Sequence, residues 1–307
     1  MSVISRSLHP DLLFPGVLEI FGTEYESFVP VWKRLYDKRK GTLATERLVE
    51  AAGFGLAQVK PEAAPITYDT DREGYVTQAT YTVYGIGFQV TREELEDLQY
   101  MEISSRRAMN LSRAMNATIE YEHANLFVYG FSPSVTYGDG QPMLSASHPT
   151  VNDGLQSNIL ATSADLSEAA IEDLAVQIML ARDTRGIPIS LQADQLVIAP
   201  NNWFNASRIL KSDLQNDSAN NGINAIKAEG ILPGGVVVNP YFGTSTGNAF
   251  YMTTSVAKGS GLTSLWRREP TLEKDNNFDT ENFKAKTTCR FVPTIGDWRG
   301  VYGSQGA

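Results

Sequence analysis

The sequence predicts an α+β protein organised around one very long helix. Three observations carry that reading. From Thr91 to Tyr129 no glycine or proline interrupts the chain, and Gly130 follows as a stop. Residues 61–90, just before it, are dense in β-branched and aromatic side chains, the composition of strands. After Asp165, helical and strand patterns alternate, as in an α/β layer.

In order, the first stretch to about Gly55 is mixed. Leu12, Leu13, Val17, Leu18 and Phe21 have broadly helical spacing, broken by Pro15 and Gly16, and Trp32, Leu35 and Tyr36 form a second apolar cluster. Lys33, Arg34, Lys38, Arg39 and Lys40 surround that cluster, but Glu24, Glu26 and Asp37 interrupt the positive field, so it reads as a solvated or subunit-facing arm. Between Pro61 and Val90, Asp69-Thr70-Asp71-Arg72-Glu73-Gly74 reads as a polar tip joining two long strands. Thr77, Thr80 and Thr82 suggest a ribbon exposed on both faces. Such a ribbon is marginal alone and needs a neighbouring subunit to lie upon.

The helix expected over Thr91–Gly130 starts with Thr91 and Glu94 in capping-box spacing, and Glu93, Glu94, Glu96 and Asp97 suit the positive end of its dipole. A rod of that length crosses a broad, thin subunit, which points to assembly. Its Arg106, Arg107 and Arg113 form a basic stripe that could face a subunit or DNA, or simply water. A Ser-, Gly-, Pro- and Asn-rich loop occupies residues 131–164. A helix opens at Asp165-Leu166-Ser167-Glu168, a buried strand is expected at Gln195–Ala199, and a helix carrying Trp203, Phe204, Ile209 and Leu210 follows Pro200. Further strands are expected at Val236–Asn239, Ala249–Thr253, Leu262–Trp266 and Phe283–Phe291, with a last piece near Trp298–Tyr302.

Composition narrows the function. The 307 residues are 42% hydrophobic and 20% charged, too apolar for a disordered chain and long enough for two domains. A net charge of −9 argues against a sequence-reading nucleic-acid binder. The single cysteine, Cys289, excludes an intrachain disulfide and reads as a small core residue. No signal-peptide pattern and no apolar run of membrane-span length are visible, so no membrane partner is expected.

The chemical motifs dissolve on inspection. Gly243-Thr244-Ser245-Thr246-Gly247 matches a hydrolase nucleophile elbow, but a strand follows where a helix is required, and His9, His123 and His148 all precede Ser245. Asp69–Gly74 imitates the first half of a calcium loop, yet its twelfth position is Thr80. Neither His123 nor His148 has zinc-ligand spacing, and no phosphate-binding glycine loop is present. No catalytic residue, cofactor or metal is therefore assigned.

The order of parts resembles the major capsid proteins of tailed double-stranded DNA bacteriophages, the Hong Kong 97-type fold. The resemblance lies in Tyr68-Asp69-Thr70-Asp71 with Gly85–Asp97, in Asp139–Pro149, in Leu196–Pro200 with Trp203, Ile209 and Leu210, and in Phe278-Asp279 through Asp297–Tyr302. It implies an N-terminal arm (1–55), an extended β-hairpin loop (56–90), a peripheral domain (91–164 and 256–307) with spine helix 91–130, and an axial α/β domain (165–255). It implies self-assembly as pentamers and hexamers into an icosahedral shell around packaged double-stranded DNA, touched only weakly and non-specifically. Assembly is expected in the bacterial host cytoplasm, with a portal and, since fold-like sequence starts early, a separate scaffolding protein; decoration proteins are further candidate partners. Inter-subunit contacts are expected at Tyr68, Asp69, Asp71, Arg72, Glu73 and Tyr75 of the loop and at Trp32 and Arg34 of the arm. Some relatives weld subunits through a loop lysine; no lysine lies between Lys60 and Lys211, which argues against such a bond from the loop's tip. An encapsulin-like cargo compartment is the alternative within this fold, and a serine hydrolase using Ser245 the remote one.

Overall fold

The long helix joins two sheets. The computed structural model describes residues 21–26, 28–63, 65–91, 93, 100–151, 153–215, 222–243, 246–276 and 282–306. The elements are α1 (Trp32–Leu35), β1 (Asp37–Lys40), β2 (Thr45–Ala52), β3 (Arg72–Thr80), β4 (Thr82–Val90), α2 (Tyr100–Val128), β5 (His148–Pro149), β6 (Leu155–Gln156) and α3 (Glu168–Met179). They continue with β7 (Ala193–Ile198), α4 (Trp203–Lys211), α5 (Ala225–Ala228), β8 (Gly235–Val238), β9 (Phe250–Thr254), β10 (Leu262–Asn276), β11 (Phe283–Ile295) and β12 (Val301–Ser304).

Helix α2 has 29 residues and spans about 43 Å. Its buried positions, Ala108, Leu111, Ser112, Met115, Asn116, Ile119, Glu120, His123, Ala124 and Phe127, recur every three or four residues, the stripe of a core-facing helix. The expected capping box lies outside the described residues at Glu94. Gly130 ends the helix differently from expectation. It is not among the left-handed glycines, but a Cβ there would meet Met143 Cε at 2.8 Å and the Phe127 carbonyl at 3.1 Å, so close packing selects it.

The first sheet has the order β1-β10-β11-β4, with β1 parallel to β10 and the other pairs antiparallel. Strand β10 runs past the expected Trp266 and absorbs Pro270 between register shifts at Trp266/Arg268 and Arg268/Thr271, where a residue lacking N–H is tolerated. The second sheet has the order β12-β9-β7-β8. Its central strands are buried at Leu196, Val197 and Ile198 on β7 and at every residue of β9. At the head of α3, Ser167 caps by accepting from the Ala170 N–H.

The expected ribbon needs three corrections. Its first strand is β2, residues 45–52, within the stretch assigned to the arm, and it pairs with β3; the described residues of 61–68 form no strand. Pro61 and Pro65 lack the N–H a ladder requires, which removes that segment from pairing. Strand β4 leaves the ribbon for the first sheet, so the ribbon's connecting segment is residues 53–71 rather than a tight turn at 69–74. That segment contains Lys60, so the tip does carry a lysine. At the other end of the described chain, β12 pairs with β9 at the edge of the second sheet.

One hydrophobic core runs through both layers, from Trp32, Leu35 and Tyr36 past Met115 and Phe127 to Trp266 and Phe291 on one side and Val197, Tyr251 and Tyr302 on the other. Cys289 is a buried member of it, with its thiol pushed up to about 11 by burial. Phe127 makes the junction. Its ring packs on Phe242 and Tyr251, and its carbonyl accepts the Tyr251 hydroxyl at 3.0 Å.

Candidate assembly surface

The ribbon is the part of the subunit with the least core of its own. Strands β2 and β3 pair over Thr45–Ala52 and Arg72–Thr80, with an irregularity between Val49 and Ala51. The connector at its end exposes Phe54, Leu56, Val59, Ile66 and Tyr68; Val59 is 94% and Tyr68 92% exposed. Single exposed apolar side chains are ordinary, but five on one short segment form the kind of surface that marks a contact site. Among the sequence-predicted contacts, Asp71, Arg72 and Glu73 are exposed where the connector enters β3, and Tyr75 is half-buried beside Glu50. Asp69 is held by the Gly55 and Thr70 N–H groups and by Arg185, which keeps its carboxyl below the usual range.

At the connector end of the ribbon stands Arg299, 2% exposed. Its Nη1 donates to Glu50 on β2 at 2.9 Å and to Asp297 at 3.3 Å, its Nη2 to Gln156 on β6 at 3.2 Å, and its Nε to the Arg182 carbonyl at 2.8 Å. The guanidinium also lies over the Trp298 ring, 4.3 Å from its centroid. Burial raises the Glu50 carboxyl even though Arg299 pulls it down. Trp298 stacks on His148 as well, at 4.4 Å, while His148 contacts Asp139 at 2.6 Å and Asn158 at 3.1 Å. Asn158 in turn donates to the Met143 and Val301 carbonyls, tying the loop after α2 to β12.

The described residues of the expected arm are docked on the subunit. Trp32 is 5% exposed and stacks on His123 (4.5 Å) and Trp266 (5.7 Å), so its surface is spent inside its own subunit and is not left for a neighbour. Arg34 is exposed and reaches toward the Val236 carbonyl of β8, 3.5 Å away. Lys38 pairs with Glu269 and Arg39 with Asp37, so two of the five basic residues of that run have an acidic partner within the subunit. On α2, Arg113 pairs with Glu24 at 2.7 Å and Arg107 reaches the Gln89 carbonyl at 3.4 Å, which ties the expected basic stripe to the subunit itself. His123 closes a chain of donors: Trp266 Nε1 donates to Ser264 Oγ, the Ser264 hydroxyl serves His123 Nε2, and His123 Nδ1 donates to the Ile119 carbonyl. Burial holds its pKa down at about 3, so the ring is neutral and the aromatic stack is uncharged.

Glu120 caps α1 from α2: its carboxylate accepts the Val31 N–H at 2.7 Å and the Trp32 N–H at 3.3 Å. Burial raises its pKa from 4.5 to about 7 against those two hydrogen bonds. Because the folded pKa exceeds the unfolded one, the associated stability is present below pH 4.5 and lost as pH rises through 7. Glu120→Gln keeps one acceptor without the charge. The variant subunit is expected to be about 2 kcal/mol more stable than wild type at pH 8, with the gap closing near pH 4.5. Urea unfolding of unassembled subunits across pH measures this directly.

Sequence reasoning missed Arg185, Glu50, Arg299 and Glu120. Only Arg185 left a signal, as the exposed-looking residue of the Asp183-Thr184-Arg185-Gly186 turn. The Thr244-Ser245 part of the elbow motif lies outside the described residues, and Phe250 just beyond it opens strand β9, not a helix. Among the described residues no cluster of three or more His, Cys, Asp or Glu could hold a metal, and no helix is long and apolar enough to cross a membrane.

Comparison with known proteins supplies the context for these surfaces. No curated protein matches the chain. The virus-like particle from Pyrococcus furiosus has a similar fold, with TM-score 0.56 and 11% identity over 95% of this chain and 98% of that one. So do the capsid of an empty GTA particle (TM-score 0.56, 11% identity, 90% of each chain) and a chain of Mycobacterium phage Adephagia (TM-score 0.56, 12% identity, 91% of each). At such identities these likenesses establish the fold, the α+β Hong Kong 97 type. The family match is independent of them and covers residues 74–304, from early in β3 to the end of β12. The chain belongs to the phage capsid protein family.

Proposed function

We propose that this chain is the major building block of a phage head, assembling as pentamers and hexamers into a closed icosahedral shell around double-stranded DNA. The family match over residues 74–304 carries the reading, and the exposed apolar connector of the ribbon supports it. The role is structural: no step of it needs a catalytic group. Ribbon and arm give each subunit contacts beyond its own edge, and weak contacts repeated around a closed shell add by multivalency. In this reading the second sheet with α3, α4 and α5 forms the axial part, gathered around the symmetry axes. Helix α2 with the first sheet forms the peripheral part, and the acidic chain meets DNA without reading sequence. Scaffolding, portal and decoration proteins complete the head in the host cytoplasm.

Purified subunits supplied with scaffold are expected to form uniform hollow particles in negative-stain images. Particles from infected cells are expected to carry an absorbance ratio dominated by nucleic acid. A chain that stays monomeric under all such conditions overturns the proposal. A cargo compartment is the second reading, since a shell of this fold can enclose protein as well as nucleic acid. Shells that enclose an enzyme and no nucleic acid decide for it.

A further inference from the structure

Among the described residues the side chain of Arg185 fastens the ribbon's connector to the body of its own subunit, and we infer that this fastening is a latch that preorganises the tip for docking on a second copy of the chain. The inference rests on the assembly reading above and adds a specific device to it.

One half of the latch is a stiff platform. Residues 183–187 make a tight turn in which the Asp183 carboxylate accepts the Arg185 N–H at 2.7 Å and the Ile187 N–H at 2.9 Å. The Asp183 N–H donates to the Ile187 carbonyl at 2.8 Å, and Gly186 closes the turn at φ +83°, a conformation that favours glycine. The turn thus presents Arg185, whose side chain is only 14% exposed. The other half is the connector, gripped on both of its limbs. Arg185 Nη1 donates to Asp69 Oδ2 and Nη2 to the Thr70 carbonyl, each at 2.6 Å, while the same Asp69 oxygen accepts the Gly55 N–H at 2.7 Å. A side chain at position 55 would crowd this grip, since its Cβ would stand 3.2 Å from Asp69 Oδ2 and 3.3 Å from Arg185 Nη1.

The grip does not cover the apolar side chains. With the latch closed, Leu56, Val59, Ile66 and Tyr68 all remain exposed. The contact therefore cannot act by hiding the docking surface. It limits the freedom of a segment without secondary structure, and ordering that segment in advance removes a cost that docking would otherwise carry. The occupant is a second copy, because the family and the similar structures are those of capsids, whose subunits meet one another.

The test measures the critical concentration for shell assembly by light scattering. Arg185→Ala and Asp69→Asn are each expected to raise it about two- to fivefold, the range of one exposed ion pair. The double variant should be no worse than either single one, the reversed pair R185D/D69R should recover part of the loss, and high salt should shrink the difference. An unchanged or lowered critical concentration in Arg185→Ala overturns the latch, the lowered value marking an autoinhibitory contact instead. Val59→Ser with Tyr68→Ser, the latch intact, probes docking itself. Normal assembly of that variant overturns tip docking and the latch with it. Impaired assembly there with wild-type behaviour of Arg185→Ala overturns the latch alone.

Discussion

A Trp32→Ala subunit is expected to lose about 3–5 kcal/mol of stability before any assembly is attempted. The indole lies between His123 at 4.5 Å and Trp266 at 5.7 Å, and its removal opens a cavity at the meeting point of arm, helix α2 and the first sheet. The loss spreads because the same residue carries a backbone N–H that Glu120 accepts, so a loosened α1 leaves that buried carboxylate with fewer partners. Urea unfolding of the unassembled subunit gives the answer, with Trp32→Phe as the control that retains an aromatic stack and most of the stability. An inter-subunit role for Trp32 makes the opposite forecast: normal subunit stability with defective assembly. The two outcomes share no common ground.

That contrast shows where the sequence was legible. An aromatic surrounded by Lys33, Arg34 and Lys38 looks like a surface residue, and nothing local says that its neighbours in space are His123 and Trp266. Helix α2 was legible because its evidence is local: an uninterrupted run without glycine or proline, with Gly130 after it. Strands β7, β8, β9 and β11 were legible for the same reason, as short apolar or alternating runs bounded by Gly, Pro or Asn. The ribbon was half legible. Ile66 and Tyr68 have strand composition, but Tyr68 is almost fully exposed and pairs with nothing in its own sheet, while the true partner of β3 lay upstream at Thr45–Ala52. Strand register is a non-local choice, and composition alone does not make it.

The candidate surface was legible in its exposed half only. Asp69, Asp71, Arg72 and Glu73 are found where polar tip residues belong, near the ribbon's end. The buried charges were invisible, since a lone Glu or Arg is ordinarily a surface residue. Glu120 meets Trp32 across 88 positions of sequence and Arg299 meets Glu50 across 249. Pairings of that span belong to the topology and leave no spacing to read.

Arg299→Met is expected to cost about 3–5 kcal/mol, the penalty of removing one partner from a buried ion pair. Methionine fills much of the volume, so the loss reports charge and hydrogen bonds more than a cavity. Four donor contacts disappear, to Glu50, Asp297, Gln156 and the Arg182 carbonyl, and Glu50 is left half-buried without its cation. Lysine does not rescue this: a compact ammonium lacks the planar fork that reaches β2, β6 and the Arg182 loop at once. Two further measurements separate the charge from the packing. Glu50→Gln added to Arg299→Met removes the stranded carboxylate, so the double variant should be more stable than Arg299→Met alone at pH 8. In the single variant Glu50 has lost the guanidinium that lowered its pKa, so its folded pKa lies further above the unfolded value of 4.5. The corresponding stability is present below pH 4.5 and disappears as pH rises through the folded pKa, so the deficit of Arg299→Met should be smaller at pH 5 than at pH 8. A deficit equal at both pH values assigns the loss to packing against Trp298. A deficit that shrinks on acidification identifies Arg299 as the charge that lets a ribbon strand carry a half-buried glutamate, and so as the residue that fastens the connector end of the ribbon to the body of the subunit.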